Sequence, residues 1–148
     1  MSGITLLVED PKWRSHRGLA ARLTMAAQAA RRSSRLKGAF TILLADDRKL
    51  RSLNHDFRGK DKPTNVLSFP GSDGYAGDIA LAYGVTAKEA KAAAKTFADH
   101  AAHLVVHGVL HLAGYDHERP KDAKVMEPLE VKILKRLGIA DPYATAKR

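Results

Sequence analysis

From Thr86 to Gly114 the sequence TAKEAKAAAKTFADHAAHLVVHGVLHLAG has the spacing of a long helix, and beyond Asp99 its second half is apolar except for histidines. A helix apolar on every side cannot face water, so the remainder of the chain has to enclose it. The Thr86 hydroxyl, with Glu89 three residues on, provides a start signal, and Gly114 a stop. This one segment sets the problem that the fold must solve.

The other elements supply the enclosure. Ile4 to Val8 reads as a strand ended by Asp10 and Pro11, and Trp13 to Ala30 as an Ala-rich helix closed by the basic run RRSSRLKG. Phe40 to Asp46 is rich in β-formers, and Asp46 or Asp47 caps a second helix through about His55. Two further runs, Asn65 to Phe69 and Asp78 to Ala82, flank the turn-rich PGSDGYAG and read as adjacent strands. Asp122 to Gly138 forms a last amphipathic helix, and the chain from residue 139 to 148 reads as a loose tail. With no repeat or low-complexity linker, the expectation is one α+β domain over residues 1–148: a small mixed sheet of about four strands packed with helices. Its buried helix resembles the metal-binding helix of the zincins.

The chain has 148 residues and no cysteine, so neither disulfides nor thiolates can hold the fold or a metal. Any ion must be bound by His, Asp or Glu. The start, MSGITLLVEDPKW, lacks a charged leader before a long apolar run, and no stretch is long enough to span a bilayer. The expected location is the cytoplasm, with no membrane partner. Net charge is +9, and up to Lys62 there are 14 Lys or Arg against 6 Asp or Glu, afterwards 11 against 10. A basic half of this kind attracts polyanions, which makes nucleic acid the natural partner, although it also serves solubility.

Chemistry concentrates in HGVLHLAGYDH. Residues four apart share a helix face, so His107 and His111 lie within reach of one ion. Gly114 can turn the chain so that His117 returns to the same ion, which leaves one open position of the kind a catalytic zinc needs. Three imidazoles buried without a shared partner would be costly, which favours one common zinc ion. The same spacing also admits His103 with His107, and leaves the roles of His100 and His103 open. Three imidazoles would accept nickel, copper or iron as well.

The pattern HxxxHxxGxxH, followed by Met126, has the ligand spacing of metzincin peptidases, in which a glutamate after the first histidine acts as general base. Here that position is Gly108. Asp116 or Glu118 can replace the base or can orient a histidine. The alternative is a reaction that depends more on electrostatic help, such as phosphodiester cleavage, and this directs attention to Arg58. Its planar fork can hold a phosphate, with Lys60 and Lys62 following the backbone, or it can be a solvated charge beside Asp56 and Asp61.

LNHDFRGKDKPTNVLSFP, AGDIALA, HLVVHGVLHLAGYDH and the following M-x-x-L-E, in order from Leu53 to Glu130, together resemble the YbeY family of bacterial endoribonucleases. The resemblance implies a zinc ion held by His107, His111 and His117 and a functional arginine at Arg58. It also implies single-stranded RNA as substrate, a role in maturing the three-prime end of small-subunit ribosomal RNA and in ribosome quality control, and contact with the small subunit or its assembly factors. Two other readings stand beside it: a metal-dependent hydrolase of another bond, peptide included, and an RNA-binding assembly factor with a structural zinc. Aromatic residues make up only 6% of the chain, so base stacking is expected to contribute little.

Overall fold

In the computed structural model, which describes residues 3–116 and 119–143, the segment read as one long helix is two. Helix α3 (Tyr83–Ala92) and helix α4 (Phe97–Leu112) are separated by Ala94 in the left-handed conformation, φ +55°, and by Thr96, whose hydroxyl accepts from the Asp99 N–H at 3.1 Å. The working cap is thus Thr96 with Asp99. Thr86 lies buried inside α3 and donates to the Ala82 carbonyl at 2.6 Å.

The preceding elements follow the expected order: β1 (Ile4–Val8), α1 (Leu19–Ser34), β2 (Ala39–Ala45), α2 (Asp47–Arg58), β3 (Val66–Pro70) and β4 (Tyr75–Ala82). Helix α1 starts later than its pattern predicts. Trp13 instead belongs to a short 3-10 turn, Pro11–Ser15, which sends its indole into the core to donate to the Ala45 carbonyl at 2.9 Å. Asp46 caps α2 by accepting from the Lys49 N–H at 2.8 Å. Helix α5 (Pro120–Arg136) closes the fold. Residues 139–143, read as the start of a loose tail, are held in place: Ile139 is buried and the Tyr143 hydroxyl donates to Glu130.

The sheet is four-stranded and mixed, in the order β1-β2-β4-β3, parallel except for the antiparallel pair β3 and β4. Because strand side chains alternate between faces, each central strand feeds two cores. Phe40, Ile42 and Leu44 of β2, with Ile79 and Leu81 of β4, face α1, α4 and α5. Ala45 of β2, with Ala80 and Ala82 of β4, joins Leu50 of α2 on the opposite face. Helix α4 lies in the larger core, packed by α1, α3, α5, β3 and β4, so its apolar circumference is enclosed.

At Gly108 helix α4 comes close to the sheet. A Cβ at this position would stand 2.8 Å from the Ile79 Cγ2 methyl and 3.3 Å from the Ser68 Oγ, which itself donates to the Gly108 carbonyl at 3.1 Å. The β-branched Ile79 has little freedom to yield. Gly108→Ala should therefore lower stability by about 1–3 kcal/mol even though alanine favours helices, and thermal melting should show a drop of about 3–10 °C. A melting temperature at or above the wild-type value would mean that the close approach is not needed.

Candidate metal centre

One face of α4 presents His100, His103, His107 and His111 in succession to a cleft of about 730 Å³, bordered by edge strand β3 on one side and by α5 and Tyr143 on the other. Beneath the histidines lies Glu130 of α5, whose side chain has no exposure at all. Its Oε2 lies 2.8 Å from His107 Nδ1 and 3.3 Å from His103 Nε2, and its Oε1 accepts from the Tyr143 hydroxyl at 2.6 Å. Burial alone would raise this carboxyl, but the hydrogen bonds from His103, His107 and Tyr143, with the charge interaction of His107, outweigh it and hold the group at about 2. Burial, and then the adjacent carboxylate, push the Tyr143 hydroxyl upward, so it remains a donor.

An ionised Glu130 can only accept, so it takes the N–H of His107 Nδ1, and whenever Nε2 carries no proton its lone pair is the one left for an ion. That Nε2 lies 3.0 Å from His111 Nε2. Two nitrogens of one tetrahedral ion, each about 2.0–2.1 Å from it, stand about 3.3 Å apart, so this pair fits a shared metal. His103, His107 and Glu130 also form a group whose ligand atoms lie within 4.8 Å of one another. Either arrangement could hold an ion. His103, His107 and His111 all line the cleft, whereas Glu130 is sealed beneath it, so an ion on the His107 and His111 pair would have only cleft-facing ligands. Glu130 then serves as the carboxylate that fixes the tautomer of a ligating histidine.

Gly114 adopts φ +101°, the left-handed turn expected of it, and Tyr115 and Asp116 continue along the cleft wall. His117 and Glu118 lie outside the described residues. Arg58 ends α2, is exposed to solvent, and lines the cleft. Neither neighbouring acid engages it: Asp61 pairs with Arg51 at 2.8 Å and Asp56 with His55 at 3.4 Å. Lys60 and Lys62 are exposed on the following loop and do not line the cleft.

His100 occupies the far end of the row. It contacts Glu89 at 2.8 Å, Glu89 accepts from the Asn65 amide at 3.0 Å, and burial pushes the imidazole toward the neutral form. It thereby ties α4 to α3 and to the start of β3. Tyr143 has no spacing signal of its own, and Glu130 enters only as the last residue of M-x-x-L-E, with no role attached. The trace that sequence does carry is an acid inside the buried stripe Met126, Glu130, Ile133 and Leu134, where an unpaired charge would be prohibitively costly.

The family model described as endoribonuclease YbeY matches residues 11–138. An endoribonuclease YbeY of Chelativorans sp. is 52% identical over 136 residues, covering 86% of this chain and 83% of the relative. That of Maricaulis maris is 45% identical over 148 residues, covering 97% and 92%. The solution structure of TM1509 from Thermotoga maritima superposes with a TM-score of 0.65 at 26% identity, covering 97% of this chain and 91% of that one. No helix among the described residues is long and apolar enough to cross a membrane.

If Glu130 orients His107 for an ion, Glu130→Gln should weaken zinc binding about 10- to 100-fold in competition with a chromophoric chelator. Unchanged affinity would reduce Glu130 to a packing role.

Proposed function

This chain belongs to the YbeY endoribonuclease family, and from that we propose that it is a zinc-dependent endoribonuclease cutting single-stranded RNA in the cleft along β3. The observation that carries the reading is the pair of facing imidazoles, 3.0 Å apart, with Arg58 lining the same cleft. Zinc would be held by His107 and His111, with His117 as third ligand. When bound, it would supply a lowered pKa for water and polarisation of a phosphoryl oxygen.

The chain's own residues do the rest. Glu130 keeps the proton of His107 on Nδ1, so that Nε2 stays available toward the cleft. The Arg58 guanidinium, engaged by neither Asp56 nor Asp61, holds the phosphate through two parallel N–H donors and opposes the charge that grows on its oxygens. Lys60 and Lys62, exposed on the loop that follows Arg58, track the backbone leading to that point. Asp116 and Glu127 are the described carboxylates that line the cleft, and Asp116 is the one assigned to accept a proton or to orient a histidine. Gly108 faces Ile79 and Ser68, so a glutamate base of the peptidase kind has no room there.

The biological substrate in this proposal is the three-prime end of 16S ribosomal RNA in late maturation and quality control, met on the small subunit or with its assembly factors in the cytoplasm. The basic N-terminal half supports such a polyanionic partner.

His111→Ala should abolish cleavage of labelled single-stranded ribosomal RNA fragments while the domain still melts cooperatively. Arg58→Lys, which keeps the charge but loses the fork, should lower kcat about 10- to 1000-fold with the metal retained. Cleavage persisting in rigorously purified His111→Ala would overturn the metal-dependent mechanism, and unfolding of that variant would favour a structural ion.

A further inference from the structure

Phe57 is the most exposed of the large apolar side chains among the described residues, at 68%. It immediately precedes Arg58, at the end of α2 where the chain reaches the cleft. A solitary exposed apolar side chain is ordinary and calls for no explanation. Phe57 is not solitary. Its ring centroid lies 5.1 Å from that of Phe69 on β3, at an interplanar angle of 58°, so one ring of the pair is backed by the other and presents its outer surface to water. Phe69 itself is half-buried and packs against the smaller core, which fixes the backing ring to the sheet. Strand alternation turns Phe69 away from its cleft-lining neighbours Ser68 and Pro70, so the pair lies across edge strand β3 from the cleft and adjoins it through Arg58, which follows Phe57 and lines the cleft.

The surroundings of this aromatic shelf are cationic. Arg58, Lys60 and Lys62 follow Phe57 within five residues and are exposed, while Asp61 is engaged by Arg51 and Asp56 by His55. An apolar ring surface fringed by guanidinium and ammonium groups suits a ligand that is flat and apolar in one part and anionic in another. A nucleotide of a single strand has this character: the base stacks on the ring and its phosphates meet the cations. In a duplex the base faces are covered by stacking, so the shelf accepts an unpaired base.

We propose that the Phe57 and Phe69 pair is a base-stacking subsite of this chain, holding an unpaired nucleobase beside the phosphate that Arg58 engages. The subsite rests on the reading of RNA as the substrate and adds to it a physical source of single-strand preference. It assigns base stacking a definite place on a chain whose low aromatic content predicts little of it. Phe57 contacts the flanking base; the cleft histidines and Arg58 act at the phosphate.

The test is the binding of a short 2′-O-methyl RNA oligomer and of its abasic counterpart, at fixed salt, by the wild type, Phe57→Ala and Phe57→Trp. Phe57→Ala should weaken binding of the base-bearing oligomer about 5- to 150-fold, the equivalent of about 1–3 kcal/mol for one stacked base. Its binding of the abasic oligomer should stay within about twofold of wild type, and its melting temperature should be unchanged, since the side chain is mostly in water. Phe57→Trp should restore affinity, and its indole should be quenched on binding, measured against the buried Trp13 of the wild type as background. Equal weakening for both oligomers would overturn the subsite in favour of an indirect effect on the cations. Unchanged binding of both would also overturn it and leave the shelf as a contact for a protein. A wild type that cleaves single-stranded RNA in either case preserves the proposed nuclease activity, whereas one that neither binds nor cleaves it removes that proposal itself.

Discussion

The structure depends on the complete enclosure of α4. Its apolar residues point in every direction, so α1, α3, α5 and two strands must all pack on it. Enclosure fixes the backbone of a helix tightly, and a tightly fixed backbone is what a preorganised site requires. The sheet approaches closely at Gly108, where the absence of a side chain lets Ser68 of β3 reach a main-chain carbonyl of α4. Because β3 is both the partner of that contact and the rim of the cleft, the helix and the rim are set relative to one another by one hydrogen bond and one missing Cβ.

Enclosing the helix also creates a polar problem, since four imidazoles are carried inward with it. Carboxylates on other elements answer it, one half-exposed and one fully buried. Glu89 of α3 accepts His100, and Glu130 of α5 accepts His107 and His103. Each acid is itself supported by a further donor, Asn65 in one case and Tyr143 in the other. The division of roles follows from what remains on the second ring nitrogen. That of His100 is buried, whereas that of His107 is directed toward His111 at the cleft.

Much of this was legible in the sequence, for specific reasons. Strand and helix periods located nearly every element, since one face of each is buried. The spacing from His107 to His111 placed two imidazoles on one helix face, and Gly114 turned where a left-handed residue was required. The interruption between α3 and α4 was missed because Lys91 to Ala94 has no apolar pattern to lose, leaving Thr96 as the sole mark of a new helix. Trp13 was assigned to a helix because local periodicity cannot register an indole satisfied by the distant Ala45 carbonyl. Glu130 escaped assignment for a related reason: its partners are separated from it by more than twenty residues, and no local rule connects them.

That separation has a consequence for how the protein is made. The histidines of α4 leave the synthetic machinery before α5, which carries the carboxylate that orients them, and Tyr143 follows later still. Until α5 docks, one side of α4 lacks its apolar cover and the ring of His107 has no fixed tautomer. The centre is therefore completed among the last events of chain synthesis, and a chain truncated ahead of α5 would carry the histidines without the means to aim them.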